Sequence, residues 1–299
     1  MGAARFPAGP QARALTARTT PGARLRYPWA VLRSVPRFLA AVLAGLATVA
    51  AMPAAGQSPE RLSRIVERKA LRVCIWPDYY GISFRNPKTG QLAGFDIDLA
   101  RAFAKDLGVA VEFVDSSFPA LVRDLDTDRC DVAMFAVGKL PARLEALDFT
   151  QDVLASGLYG IATKAGRVVR EWADIDRPGV RVAVQAGTFM EPVMRERLRL
   201  ATLVVVSPPR TREEELESGR VDVFLTDYPY SRRLIDNADW ARLVEPPPGY
   251  YRLPYGYAVK KGQKAWLARV DAFVSAAKAD GRLREAARRH GLEPILAAP

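Results

Sequence analysis

The stretch that decides the fold is Gly94-Phe95-Asp96-Ile97-Asp98-Leu99-Ala100-Arg101-Ala102-Phe103-Ala104-Lys105-Asp106-Leu107-Gly108. Leu99, Phe103 and Leu107 recur four apart with Ala100 and Ala104 beside them, which is the apolar stripe of an amphipathic helix. Asp96 is placed to cap its first turn and Gly108 to stop it. Upstream, Leu71-Arg72-Val73-Cys74-Ile75-Trp76 is a short apolar run that reads as a buried strand, preceded by a polar helix from Ser58 to Lys69. Downstream come a strand from Val109 to Val114, a helix from Pro119 to Asp126 and a strand from Asp131 to Val137. Such alternation implies parallel βαβ units.

The alternation then restarts. Val180–Gln185, Ala201–Val206 and Val221–Asp227 read as strands, with helices over Met190–Leu200 and Thr211–Ser218 between them. Two α/β lobes follow. A faint echo joins them: Leu125-Asp126-Thr127-Asp128-Arg129-Cys130-Asp131-Val132 and Leu216-Glu217-Ser218-Gly219-Arg220-Val221-Asp222-Val223 share a helix end, an Arg and an Asp-Val strand start. Apolar runs at Leu158–Thr163 and Tyr255–Val259 flank the second lobe and suit a pair of crossovers. Helices over Ala265–Ala279 and Leu283–His290 close the chain. The organisation expected is a leader over residues 1–56, one lobe from 70–158 plus 256–299, and the other from 159–255. Two connections between two lobes make a hinge, with a ligand cleft between them.

Composition agrees with a globular protein of 299 residues: 49% hydrophobic and 26% charged. The net charge of +11 suggests nucleic acid until it is located. Residues 1–56 hold seven Arg and no Lys, Asp or Glu, and subtracting those seven from +11 leaves +4 for the rest. That balance, with acids and bases interspersed, lacks the basic stripe of a nucleic-acid surface. Arg33 and Arg37 precede a charge-free run from Phe38 to Met52 and small residues up to Gln57. This is a signal-peptide pattern, with an uncleaved anchor as the alternative, and the long Arg- and Pro-rich stretch before it predicts a true start near Val31. Cleavage is expected to export a mature protein beginning at Gln57. Cys74 and Cys130 are compatible with a disulfide in an exported protein or with two buried thiols. The single histidine, His290, sits in an Arg-rich helix. No phosphate loop, nucleophile elbow or His/Cys ligand set occurs, so neither cofactor nor metal is expected.

Four segments in order carry a family likeness: Gly94-Phe95-Asp96-Ile97-Asp98-Leu99-Ala100, Arg143-Leu144-Glu145-Ala146-Leu147-Asp148-Phe149, Gln185-Ala186-Gly187-Thr188 and Thr226-Asp227. Over Leu71–Leu292 the chain resembles the bacterial extracellular solute-binding proteins of family 3, the polar amino-acid-binding components of ABC importers. The resemblance implies an α/β fold of two Rossmann-like lobes joined by a two-strand hinge, the periplasmic binding protein type II architecture. It implies that Arg143 clamps a ligand α-carboxylate, a bidentate task suited to a planar guanidinium. The alternative is a surface Arg paired with Glu145 or Asp148.

Gln185-Ala186-Gly187-Thr188 leaves a strand and opens a helix, so its N–H groups and the Thr188 hydroxyl can face a second anion; otherwise Thr188 caps only its own helix. Asp227 matches the carboxylate that receives the ligand's ammonium, or else is a turn former. Tyr79 or Tyr80, with Phe118, match stacking aromatics, while Trp76 reads as core. Two departures stand out. Ala136-Val137-Gly138 lacks the hydroxyl the family places before its Arg, and Gly81-Ile82 replaces Pro-Phe. The expected ligand is an amino acid or another small carboxylate, bound by a monomer that addresses an inner-membrane ABC permease or a sensor receptor.

A competing resemblance is to periplasmic cyclohexadienyl dehydratases, through Leu71-Arg72-Val73-Cys74 and Asp176-Arg177-Pro178-Gly179-Val180-Arg181-Val182. Their general acid is expected two residues after the Gly-Thr pair. Here that place is Met190, and Glu191 follows one residue on, about 100° further round a helix.

Overall fold

The computed structural model describes residues 61–297. The expected signal peptide, its cleavage point at Gln57 and the start of the Ser58–Lys69 helix lie outside the described residues. The described residues belong to one compact unit. Among the described residues no helix is long and apolar enough to cross a membrane.

The first lobe opens with helix α1 (Arg61–Arg68) and strand β1 (Ala70–Ile75). A small antiparallel sheet of β2 (Asp78–Tyr79), β3 (Ser83–Arg85) and β4 (Leu92–Ala93) occupies the turn-rich passage that follows. Next come α2 (Phe95–Leu107), β5 (Ala110–Asp115), α3 (Leu121–Asp126), β6 (Val132–Gly138), α4 (Pro141–Ala146), β7 (Leu147–Phe149) and β8 (Leu154–Ser156). The second lobe holds β9 (Tyr159–Thr163), β10 (Arg181–Gln185), α5 (Met190–Arg197), β11 (Thr202–Val206), α6 (Arg212–Glu217), β12 (Val223–Thr226), α7 (Tyr228–Asn237) and β13 (Ala241–Val244). The chain then returns through β14 (Leu253–Lys260) to α8 (Lys264–Ala279) and α9 (Arg282–Arg289).

Each lobe is built on one sheet. The first runs β5-β1-β6-β14-β7 with β8 beside β14, and the second runs β11-β10-β12-β9-β13. β1 lies parallel to β5 and β6, and β10 lies parallel to β11 and β12, so a helical crossover links each successive pair. β6, parallel to β1 and antiparallel to β14, is buried along its whole length, as a central strand covered on both faces must be. The runs Leu158–Thr163 and Tyr255–Val259 form parts of strands on either side of the crossings. The crossings themselves fall between Ser156 and Tyr159 and between Val244 and Leu253.

The internal echo is structural. Asp131 accepts the backbone N–H of Arg72 on β1 at 2.8 Å, and Asp222 accepts that of Arg181 on β10 at 2.8 Å. Arg129 pairs with Asp124 and Arg220 with Glu215 at the same spacing in each lobe. The two cysteines form a disulfide between the end of β1 and the approach to β6, with Cα atoms 5.5 Å apart.

Helix α2 ends as expected, at Gly108 in a left-handed cap. Its start differs: the cap residue is Gly94, and Asp96 turns inward to accept the Ala136 N–H of β6 at 2.7 Å. Gly94 is required, because its φ is +140° and a Cβ there would lie 2.2 Å from the Ile82 carbonyl oxygen.

Candidate functional site

A narrow pocket lies between the lobes at the C-terminal ends of the parallel strands, the usual ligand position of open α/β sheets. The first lobe contributes Trp76, Tyr79, Phe118, Ala136, Gly138 and Arg143. The second contributes residues 188–190, Arg212, Thr226, Asp227 and Tyr230.

Arg143 reaches the pocket because Pro141 starts a helix immediately after β6. Its side chain is buried. Nη1 donates to the Gly138 carbonyl at 3.1 Å, Nη2 donates across the cleft to the Gly187 carbonyl at 2.8 Å, and the guanidinium lies 5.1 Å from the Phe118 ring centre. Burial lowers its pKa to about 10, which leaves it cationic at neutral pH. It forms no ion pair among the described residues, and Asp148 pairs with Lys261 instead.

Asp227 caps α7, accepting the Tyr230 N–H at 3.3 Å. Its Oδ2 also accepts the hydroxyls of Tyr79, from the first lobe, and of Tyr255 at 2.9 Å. Burial raises its pKa, against the pull of these hydrogen bonds and of the Arg212 charge. Burial likewise raises the pKa of both tyrosines well above the ordinary range, so they stay protonated donors. The carboxyl is thus a helix cap and a wall of the pocket at once.

The turn from Gln185 to Thr188 departs from its expected use. Gly187 N–H donates to the Glu191 carboxylate at 2.9 Å, and the Thr188 hydroxyl donates to the Gln185 carbonyl at 2.7 Å. The chain's own Glu191 therefore takes the place of an external anion. Thr188 lines the pocket, whereas Gln185 and Gly187 stand behind it and offer carbonyls. Gly187 has a φ of +72°, and a Cβ there would lie 2.8 Å from Pro119, so the glycine lets the lobes meet.

Tyr80 lies outside the pocket: Tyr79 points inward from β2, and its neighbour turns outward to pack on Phe84 and on Tyr230. Trp76, expected in the core, is half-buried on the pocket wall, edge-on to Phe118 at 5.3 Å. Ala136 sits in the left-handed region at φ +49° beside the pocket, held by the Asp96 hydrogen bond.

Arg212 and Tyr230 escaped the sequence reading, and Met190 entered it only as the place where an acid is absent. Arg212 carried a usable signal, since a cation at the start of a helix opposes the helix dipole and invites another explanation. Met190 faces the pocket where the dehydratase resemblance calls for an acid, while Glu191 bonds Gly187 and Arg195.

Two α/β lobes with an interlobe pocket carrying a buried guanidinium and a carboxyl define a periplasmic binding protein of type II. The chain belongs to the bacterial extracellular solute-binding proteins, family 3, whose family model matches residues 71–293. It is 33% identical over 192 residues to a cyclohexadienyl dehydratase of Pseudomonas aeruginosa, covering 64% of this chain and 71% of that protein. It is 27% identical over 223 residues to the L-cystine-binding protein TcyJ of Escherichia coli, covering 75% of this chain and 83% of the relative. Among solved structures, it is similar to the ancestral amino acid-binding protein AncCDT-1, a precursor of cyclohexadienyl dehydratase. That similarity has a TM-score of 0.69 and 31% identity, covering 76% of this chain and 98% of the other.

Proposed function

We propose that the protein is exported to the periplasm, captures a small amino acid or related carboxylate by lobe closure, and presents the closed form to an inner-membrane permease or sensor receptor. The observation that carries this reading is Arg143: a buried cation without a carboxylate partner, facing a pocket whose opposite wall holds Asp227. A guanidinium so placed retains donors for a ligand carboxylate. Asp227 keeps acceptor capacity for an ammonium beyond its three present donors, and Trp76, Tyr79 and Phe118 supply ring surface for the ligand's carbon chain.

A second reading, dehydration of a cyclohexadienyl acid, is favoured by the 33% identity to the Pseudomonas enzyme. Against it stands Met190, which offers no proton at the place of the general acid. Asp227 is the one carboxyl on the pocket wall among the described residues, and it is engaged by two tyrosine hydroxyls.

Thermal melting of the ligand-stripped protein against amino acids, small carboxylates and prephenate separates these readings. A ligand at a hundred times its dissociation constant adds about 2.7 kcal/mol and raises the melt by several degrees. Binding predicts a shift with an amino acid or small carboxylate and no loss of prephenate on prolonged incubation. Turnover of prephenate to phenylpyruvate would overturn the binding reading in favour of the enzyme.

A further inference from the structure

Two buried arginines line one pocket. Besides Arg143, the second lobe presents Arg212, only 3% exposed, at the start of α6. It lies between the rings of Tyr230 and Phe224, 4.8 and 5.1 Å from their centres, and Nη1 donates to the Leu225 carbonyl at 2.9 Å. Its Nε is buried without a hydrogen-bond partner.

The Arg212 charge acts on Asp227, but no acid forms an ion pair with it among the described residues. Glu213 accepts the Tyr230 hydroxyl at 2.8 Å, Glu214 closes the capping box with Thr211, and Glu215 pairs with Arg220. Asp227 already receives Tyr79, Tyr255 and the Tyr230 N–H. The Gly187 N–H, the other anion receptor of this lobe, is taken by Glu191. The pocket wall therefore carries two cations against at most one carboxylate, and a buried charge without a counter-charge is unfavourable unless something supplies one.

We infer that the ligand carries two carboxylates, one held by Arg143 and the other by Arg212. The class is an acidic α-amino acid or a short dicarboxylate of net negative charge. An amino group, where present, faces Asp227. The inference rests on the binding function proposed above and narrows its ligand.

The test is titration calorimetry of the ligand-stripped protein with L-glutamate, L-aspartate and succinate against L-glutamine, L-asparagine and L-arginine. The wild type is expected to bind at least one of the first three at least tenfold tighter than any of the second three. Arg212→Gln is expected to weaken the two-carboxylate ligand at least tenfold and to bring it level with its amide, with Arg212→Lys retaining most of the preference. The wild-type comparison stands even where a variant fails to fold. An amide or arginine bound as tightly as the best acid overturns the inference and leaves the binding function intact. Equal weakening of acid and amide by Arg212→Gln also overturns it, by making Arg212 a packing residue. If no compound of either group binds, the inference falls, while the binding function is decided by the wider thermal-melting panel.

Discussion

At the scale of single residues, Asp96 shows how a helix-start acid can serve a distant element. Its carboxyl is fully buried, accepts the Ala136 N–H and keeps a second oxygen, Oδ1, beside the Tyr257 hydroxyl without good hydrogen-bond geometry. Burial raises its pKa from 3.8 to about 7. The folded protein thus binds a proton here between about pH 4 and 7 that the unfolded chain has released. The resulting stability is fully present below about pH 4 and is lost as pH rises through about 7. At about 1.4 kcal/mol per unit, the interval spans at most about 4 kcal/mol. Asp96→Asn keeps an acceptor for Ala136 and removes the titration. Urea unfolding at pH 5 and pH 8 should show the wild type losing a few kcal/mol more than the variant across that range; parallel losses in the two would rule the assignment out.

At the scale of elements, Gly94 joins the hairpin sheet to α2. Gly94→Ala places a Cβ against the Ile82 carbonyl at a backbone angle unfavourable to alanine, and should cost about 2 kcal/mol or more. A denaturation midpoint unchanged from wild type would contradict this. The same scale shows what the sequence made legible. Long apolar stripes and apolar runs bounded by turns located α2, β1, β6, β10 and β12, because burial on one or both faces writes itself into residue type. Asp96 misled, since an acid at a helix start has the pattern of a cap whether it bonds its own helix or the strand behind. Helices α4 and α7 were missed: each opens with or next to a proline, and α4 spans only six residues, too few for a periodic stripe. The pocket was legible in part. Arg143, Thr188, Asp227, Tyr79 and Phe118 sit in motifs and converge on it. Arg212 sits outside those motifs, and its one signal was a cation at a helix start, which names no partner.

At the scale of the whole molecule, the lobes are held against each other by few polar contacts. Tyr79 of the first donates to Asp227 of the second, and Arg143 donates to the Gly187 carbonyl. A hydrogen bond to a charged group contributes about 1.5 to 3 kcal/mol, enough to shift a two-state equilibrium tenfold or more. Tyr79→Phe should therefore favour the open form. Small-angle scattering of the ligand-free protein should then give a larger radius of gyration than wild type, and an identical radius would show that this contact does not hold the lobes.

The claim on which all of this turns is that Arg143 is the ligand's carboxylate clamp, and the direct measurement is titration calorimetry of wild type and Arg143→Ala with the ligand found by thermal melting. Removing a buried, charge-assisted partner should weaken binding by about 2 to 5 kcal/mol while circular dichroism remains that of the folded protein. Near-wild-type affinity in a folded Arg143→Ala variant would contradict the account.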